Sequence, residues 1–270
     1  MLQSDDNVEC DPRTIEIVQN WYKQSGPRGW DQNLWVPKLS NLFSIYNRFA
    51  VRLPHRDASS VFYFYSLINH SCSPNAHAYY DPTKGLQQIH LTRDVEAGEQ
   101  IFVSYNRFQA LPRAERHEEI RLQGHKFVCD CTLCTSQEAE AIMQKVHFSY
   151  QSLSNFLVKI GALVGQINTS SRTPNDNKEA LAIAEELVGL LQHPSIGLEG
   201  PDLKMTLHVC SLISRRLGNI KAAAMYAREE LALQVRLWGF ETERFLRQND
   251  AEPWLHKIEK ELSRMEAGGL

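Results

Sequence analysis

The sequence lacks the features that would place a protein in a membrane or on a nucleic acid. No apolar run approaches the roughly 20 residues that a transmembrane helix needs. Acidic residues outnumber Lys and Arg, and the net charge is −3, whereas a nucleic-acid surface needs clustered positive charge. Residues 1–12 are polar and acidic, without the basic and apolar regions of a secretory signal. We therefore expect a protein of the cytoplasm, the nucleus or both, with no direct nucleic-acid or membrane partner.

Cysteine is also scarce, with six residues in a chain of 270. Three of them lie close together, in the segment Cys129-Asp130-Cys131-Thr132-Leu133-Cys134. A cluster of this density favours a metal site over a disulfide framework. A closed tetrahedral zinc site needs a fourth ligand besides these three. Cys10 and Cys210 have no neighbouring cysteine, and we interpret them as ordinary small hydrophobic residues.

The remaining composition is that of a soluble globular protein, with 43% hydrophobic and 23% charged residues. Helical spacing of apolar residues predicts a helix over 13–24. Residues 39–52 are predicted to form a helix that leads into a short extended segment. Alternating or β-branched residues predict strands at 88–92 and 100–104, followed by a charged helix over 111–122. After Cys134 the periodicity is helical only, with four amphipathic faces and a short last one.

Three segments follow one another in a specific order. The first runs from Ile68-Asn69-His70-Ser71-Cys72 to Asn75, the second runs from Ala97-Gly98-Glu99 to Tyr105, and the third runs from Phe127 to Cys134. Together they resemble the second half of a SET domain, the catalytic fold of protein-lysine methyltransferases, over roughly residues 40–134. The C-x-C-x-x-C spacing resembles the post-SET segment of the SET-and-MYND (SMYD) branch of that family.

The resemblance implies an α+β fold of two domains. Residues 1–134 would form a partial SET domain that ends in a post-SET zinc-binding segment, residues 124–134. Residues 135–270 would form an all-α, tetratricopeptide-like C-terminal domain. The SET β-fold is expected to be incomplete, because the first 60 residues contain no Gly-x-Gly segment, and the MYND cysteines are absent as well. Without the Gly-x-Gly turn, one side of a bound cofactor would be left uncovered, which predicts weak binding.

The resemblance also assigns roles to single residues. It implies that S-adenosylmethionine is contacted by Asn47, Asn69, His70 and Phe127. It makes Tyr105 the catalytic residue, in contact with the cofactor, with a hydroxyl that orients the lysine amine. The plainer alternatives are a turn asparagine at Asn47, a loop asparagine with a buried histidine at Asn69-His70, and core aromatic residues at Tyr105 and Phe127. His125 stands where the family usually has a tyrosine, so the substrate and the number of methyl groups transferred are left open.

The same resemblance names the fourth zinc ligand. In the SMYD branch the cysteine of the Asn-His-Ser-Cys motif supplies it, and here this residue is Cys72. The predicted zinc ligands are Cys72, Cys129, Cys131 and Cys134. The alternative is a set of free buried thiols.

The leading functional hypothesis is a protein-lysine N-methyltransferase that uses S-adenosylmethionine as co-substrate. Such a reaction requires alignment of the amine, the methyl group and the sulfur rather than a strong protein nucleophile. The expected partner is a protein substrate, histone or non-histone, that presents a lysine side chain. Two alternatives stay open: a non-catalytic, zinc-containing SET binding module, and a purely structural helical-repeat adaptor.

Overall fold

The computed structural model describes residues 12–53, 57–106, 109–159, 174–239 and 251–268. The chain divides into two compact units, Met1–Leu67 with Ile120–Phe127, and Ile68–Glu119 with Val128–Leu270. The domain boundary expected at residue 134 stays a prediction. Among the described helices, none combines the length and apolar character needed to cross a bilayer. Cys10 lies outside the described residues.

The first unit is built from two helices and a small sheet. Helix α1 (Pro12–Ser25) begins with proline, whose fixed φ suits the first helical position. Helix α2 (Gln32–Phe49) is capped by Asp31, whose side chain accepts a hydrogen bond from the N–H of Asn33 at 2.9 Å. Strand β1 (Ala50–Arg52) follows α2 directly, which confirms the predicted change from helix to extended chain.

Strand β1 pairs with β2 (Ser59–Val61) in antiparallel orientation, with Val51 opposite Ser60. A single helical turn, α3 (Tyr63–Ser66), comes next. Its aromatic side chains Tyr63 and Phe64 are 70% and 81% exposed.

The second unit opens with two more small sheets. Strands β4 (Ala76–Asp81) and β5 (Leu86–Leu91) form an antiparallel hairpin. The hairpin turns tightly because Asp81 Oδ1 accepts bonds from two following N–H groups and Gly85 adopts φ +67°. Strands β3 (Asn69–His70) and β6 (Phe102–Val103) pair in parallel. Helix α4 (Arg113–Leu122) confirms the predicted charged helix.

From residue 132 onward, the described residues of the second unit are mainly helical, as predicted. The helices are α5 (Thr132–Thr135), α6 (Gln137–Lys159), α7 (Pro174–Leu191), α8 (Pro201–Arg216), α9 (Ile220–Trp238) and α10 (Ala251–Gly268). From α6 onward each helix packs against the next one in the chain. Part of the apolar face predicted on α6 lies outside the described residues, whereas the face predicted on α8 is buried at Leu203, Leu207, Cys210 and Ile213.

Hydrogen bonds through Ser211 connect three of these helices. Its hydroxyl donates to the carbonyl of Ala223 on α9 at 2.7 Å and accepts from the indole N–H of Trp254 on α10 at 2.8 Å. The break between α8 and α9 falls at Gly218 and Asn219. Gly218 has φ +78°, and the Asn219 side chain accepts from the N–H of Ala222.

Candidate active site and metal centre

The parallel pair of β3 and β6 joins two of the three motif segments. Asn69 lies opposite Phe102 and His70 opposite Val103. The N–H of Ser71 continues the ladder by donating to the carbonyl of Val103 at 3.0 Å. The structure therefore places the Asn-His motif beside the strand that leads to Tyr105.

His70 is buried and bonded at both ring nitrogens. Its Nδ1 accepts a hydrogen bond from the backbone N–H of Tyr105 at 2.9 Å. Its Nε2 lies 3.3 Å from the Cys72 sulfur. A neutral imidazole that accepts at Nδ1 carries its proton at Nε2, so Nε2 donates to the sulfur. Contact between His70 and a cofactor is thus left to its backbone and its ring face.

Tyr105 is half-buried at the end of the second motif segment. Its hydroxyl donates to the carbonyl of Ile68 at 2.6 Å, and its ring lies 5.2 Å from the His70 ring. The Tyr105 side chain thus spans from β6 back to the residue that precedes β3. Asn69, by contrast, has an exposed side chain.

Two of the predicted cofactor residues belong to the first unit. Asn47 lies exposed in the last turn of α2. Phe127 is 43% exposed and packs against His125, with ring centroids 5.7 Å apart. His125 also packs edge-on against Phe49 at 5.7 Å. His125 therefore contributes a buried aromatic-type contact within the first unit.

The four predicted zinc ligands converge in the second unit. The sulfurs of Cys72, Cys129, Cys131 and Cys134 all lie within 4.8 Å of one another. The Cys72 sulfur is 3.5 Å from that of Cys134 and 3.9 Å from that of Cys129. Tetrahedral zinc with Zn–S bonds of about 2.3 Å would separate its sulfurs by about 3.8 Å. The donor set and its spacing therefore suit zinc.

Local structure explains how three of the thiols come together. Cys72 follows β3, so the β3–β6 pairing fixes the backbone just before it. Cys131 is the N-cap of α5, and the N–H of Cys134 donates to the Cys131 carbonyl at 2.9 Å. This tight turn places both thiols on the same side of the backbone.

The thiols influence one another electrostatically. Hydrogen bonds from Cys129, Cys131 and Cys134, together with burial, raise the pKa of the Cys72 thiol. The contact with Cys129 raises the pKa of Cys131, but contacts with Cys134 and Cys72 outweigh it and lower that pKa to about 5. Without a bound cation, the four thiols are therefore not all deprotonated together. A bound cation would remove this restriction, because thiolates are the metal-binding form.

Polar groups around the cluster were not found by sequence reasoning. Asn106 Nδ2 donates to the Cys72 sulfur at 3.8 Å, in addition to His70. Arg116 Nη2 donates to the Cys134 sulfur at 3.6 Å, and His117 Nε2 lies 3.3 Å from the same sulfur. The contacts of Arg116 and His117 follow from the position of α4 beside the cluster, which the sequence does not reveal.

Asn75 ends the first motif segment, where the sequence assigned it no role. It is 2% exposed. Its Oδ1 accepts from the N–H of Phe102 at 2.7 Å, and its Nδ2 donates to the carbonyl of Gln100 at 2.9 Å and to Glu99 Oε1 at 3.2 Å. Asn75 therefore holds the Gly-Glu segment and the start of β6 in place.

The β3–β6 pair and the thiol cluster both lie within the segment that resembles a SET domain, roughly residues 40–134. In agreement, the sequence model of the SET domain family matches residues 7–106. This match begins upstream of residue 40, where the resemblance based on motifs begins, and it includes α1 and α2.

Three curated relatives illustrate the similarity. The chain is 33% identical over 88 residues to N-lysine methyltransferase SMYD2 of Gallus gallus, covering 33% of this chain and 19% of the relative. It is 36% identical over 73 residues to histone-lysine N-methyltransferase set5 of Schizosaccharomyces pombe, covering 27% and 22%. It is 34% identical over 89 residues to protein-lysine N-trimethyltransferase SMYD5 of Danio rerio, covering 32% and 21%.

The aligned segments thus span about a fifth of the length of these relatives. Within that span, the family match and the relatives confirm the resemblance to SET-domain proteins of the SMYD branch.

Proposed function

We propose that this chain acts in S-adenosylmethionine-dependent methylation of protein lysine side chains. The observation that carries the proposal is the β3–β6 pair, which brings the Asn69-His70 motif next to Tyr105 in a segment matched by the SET family. The relatives, an N-lysine methyltransferase and a histone-lysine N-methyltransferase, support lysine as the acceptor. The substrate would be a histone or a non-histone protein.

In this reaction the neutral lysine amine attacks the methyl carbon, and the carbon–sulfur bond breaks with its electron pair retained by sulfur. The proposed role of Tyr105 follows from its hydrogen bond. Its hydroxyl proton is directed at the Ile68 carbonyl, so the oxygen lone pairs can accept from the amine and orient its attack. The exposed amide of Asn69 offers a donor and an acceptor to the amino-acid end of the cofactor, and the His70 backbone lies beside it. Asn47 and Phe127 stay predicted cofactor contacts from the resemblance.

We further propose that Cys72, Cys129, Cys131 and Cys134 hold a structural zinc ion. Their sulfurs converge within 4.8 Å, and a closed four-ligand site leaves no coordination position for catalysis. The ion would connect the backbone after β3 with the segment before α6 and contribute free energy to folding. Because an unpaired thiol set of this kind is typical of reducing compartments, we propose the cytoplasm or nucleus as the location.

A non-catalytic binding module is the second candidate. It is favoured by one observation: the two ring nitrogens of His70 and the hydroxyl proton of Tyr105 are all bonded within the protein. In this alternative the motif residues would serve structure alone, and the chain would bind a partner protein without modifying it.

One experiment separates the two candidates. The purified chain is incubated with S-adenosylmethionine labelled in its methyl group and with histones or a non-histone protein mixture, and label on lysine is identified by mass spectrometry. The enzyme hypothesis predicts labelled lysine, and calorimetric binding of S-adenosylmethionine that Asn69→Ala weakens. The absence of both cofactor binding and transfer would overturn it and leave the binding module.

A further inference from the structure

Helix α4 carries a fully buried cation next to the thiol cluster. Arg116 has no exposed surface, although an isolated charge is costly to bury. Its Nη2 donates to the Cys134 sulfur at 3.6 Å, and its Nη1 donates to the carbonyl of Leu111. Within the described residues its Nε has no hydrogen-bond partner. Neutral partners alone do not account for a charge in this position.

A carboxylate of α6 lies near Arg116. Glu140, in the first turn of α6, places its Oε2 3.7 Å from Arg116 Nη2. The same carboxylate accepts hydrogen bonds from the backbone N–H of Arg113 at 3.2 and 3.3 Å. The Arg113 side chain in turn donates to the Cys134 carbonyl at 2.8 Å. The Glu140 carboxylate therefore contacts both the start of α4 and the Arg116 guanidinium. The guanidinium lies between this carboxylate and the Cys134 sulfur.

A divalent ion held by four thiolates leaves the centre with excess negative charge, because the ligands must be deprotonated to bind. A guanidinium offers both a compensating charge and N–H groups directed at the sulfur. Outer groups that bond to metal ligands orient them and tune the affinity of the site. Arg116 is suited to this role on account of its burial, its charge and its contact with Cys134.

We propose that Arg116, held in place by Glu140, is a positioning residue that stabilises the thiolate of Cys134 and so retains the metal ion. His117 adds a second contact to the same sulfur. The inference rests on the proposed zinc site and extends it to residues outside the ligand set. It also gives Glu140 a function: the first turn of α6 supports the metal centre through Arg116.

The test measures zinc affinity of the full chain by competition with a chromogenic chelator. Arg116→Met retains the buried volume but removes the charge and the donors, and we expect a loss of about 10- to 100-fold. Arg116→Lys keeps the charge without the planar fork and should lose less. Glu140→Gln should show a smaller loss in the same direction. Glu115→Gln, at an exposed position of the same helix, is the matched control and should bind zinc as the wild type does.

Substitution of Co²⁺ for zinc provides a second measurement, an absorption band that would not change if Arg116 only stabilised the fold. In the Co²⁺-substituted chain, loss of N–H···S bonds raises the energy of the sulfur lone pairs, so the thiolate-to-cobalt charge-transfer band of Arg116→Met should shift to lower energy. Unchanged zinc affinity together with an unchanged cobalt band would overturn the proposal. If Arg116→Met does not fold, Arg116→Lys and Glu140→Gln decide by the same two measurements. A wild-type chain that binds no zinc would instead refute the zinc site itself, and this inference with it.

Discussion

Tyr105 and His70 are joined by a hydrogen bond from the Tyr105 backbone N–H to His70 Nδ1, 2.9 Å long. The other ring nitrogen of His70 faces the Cys72 sulfur at 3.3 Å. The imidazole thus connects the predicted catalytic residue with a predicted metal ligand through one side chain. We expect the position of Tyr105 and the state of the thiol cluster to depend on each other.

The first prediction concerns the Tyr105 hydroxyl. Tyr105→Phe removes the hydrogen bond to the Ile68 carbonyl and the group that would orient the lysine amine, while the ring remains. We expect methyl transfer to fall by about 100-fold or more, since small errors of alignment have effects of this size. Binding of S-adenosylmethionine, measured by calorimetry, should change little.

Tyr226→Phe is the matched control, because it removes another tyrosine hydroxyl that is bonded to Glu185 on the helical surface. Its methyl-transfer rate should equal that of the wild type. Weakened cofactor binding with unchanged turnover in Tyr105→Phe would contradict the role assigned to this hydroxyl.

The second prediction concerns metal content. The wild-type chain should contain one zinc ion, and Cys72→Ser should lose most of it, because serine replaces a thiolate of the converging set. Elemental analysis of freshly purified protein measures this directly. Cys210→Ser is the control, since Cys210 is equally buried but belongs to α8. A Cys72→Ser chain with full zinc content would show that Cys72 is not a ligand.

The third prediction tests the bonds made by Asn75. Asn75→Ala removes an acceptor for the Phe102 N–H and a donor to Gln100 and Glu99. Leaving such groups unpaired in a buried place should lower the free energy of unfolding by about 2–4 kcal/mol. Urea denaturation measures the loss. Asn69→Ala, at an exposed position of β3, should stay within about 0.5 kcal/mol of the wild type, and an equal loss in both variants would argue against the assignment.

Helical periodicity was sufficient to predict most of the helical region. The face predicted on α8 is buried because its apolar residues recur every three or four positions. The predicted strands at 88–92 and 100–104 correspond to β5 and to a shorter β6. Strand β3 was missed because two residues show no alternation, and its parallel pairing depends on contacts between residues far apart in the chain.

The candidate site was predictable to a different extent at each residue. Spacing alone indicated a metal at Cys129, Cys131 and Cys134, but Cys72 was named only by family resemblance. Arg116 could not be found in this way, because a charged helix such as α4 gives no indication of which charge faces inward. The two hydrogen bonds of the His70 ring likewise depend on the tertiary structure. Local patterns identify chemically suited residues, and packing decides which of them meet.

The last prediction starts from two histidines that lie opposite each other in the β4–β5 hairpin, His77 and His90. His77 also packs edge-on against Trp238 of α9, with ring centroids 5.3 Å apart. Burial, and then the nearby charge of His90, lower the pKa of His77 from 6.5 to about 4. Burial and Lys84 lower the pKa of His90 as well. Folding therefore keeps His77 neutral at pH values where an unfolded chain would protonate it.

When folding lowers the pKa of a histidine, the free energy of unfolding decreases as the pH decreases. The reason is that the unfolded chain takes up a proton on this histidine before the folded chain does. The contribution of His77 is complete above pH 6.5 and is lost as the pH falls toward 4, amounting to at most about 3 kcal/mol. His77→Phe keeps the aromatic contact but cannot be protonated, so its free energy of unfolding, measured in urea at several pH values, should fall less steeply over this window. His256→Gln, at an exposed position of α10, should retain the wild-type slope. Since acid release of a metal ion would affect all three proteins alike, identical slopes for the wild type and His77→Phe would show that His77 does not supply this dependence.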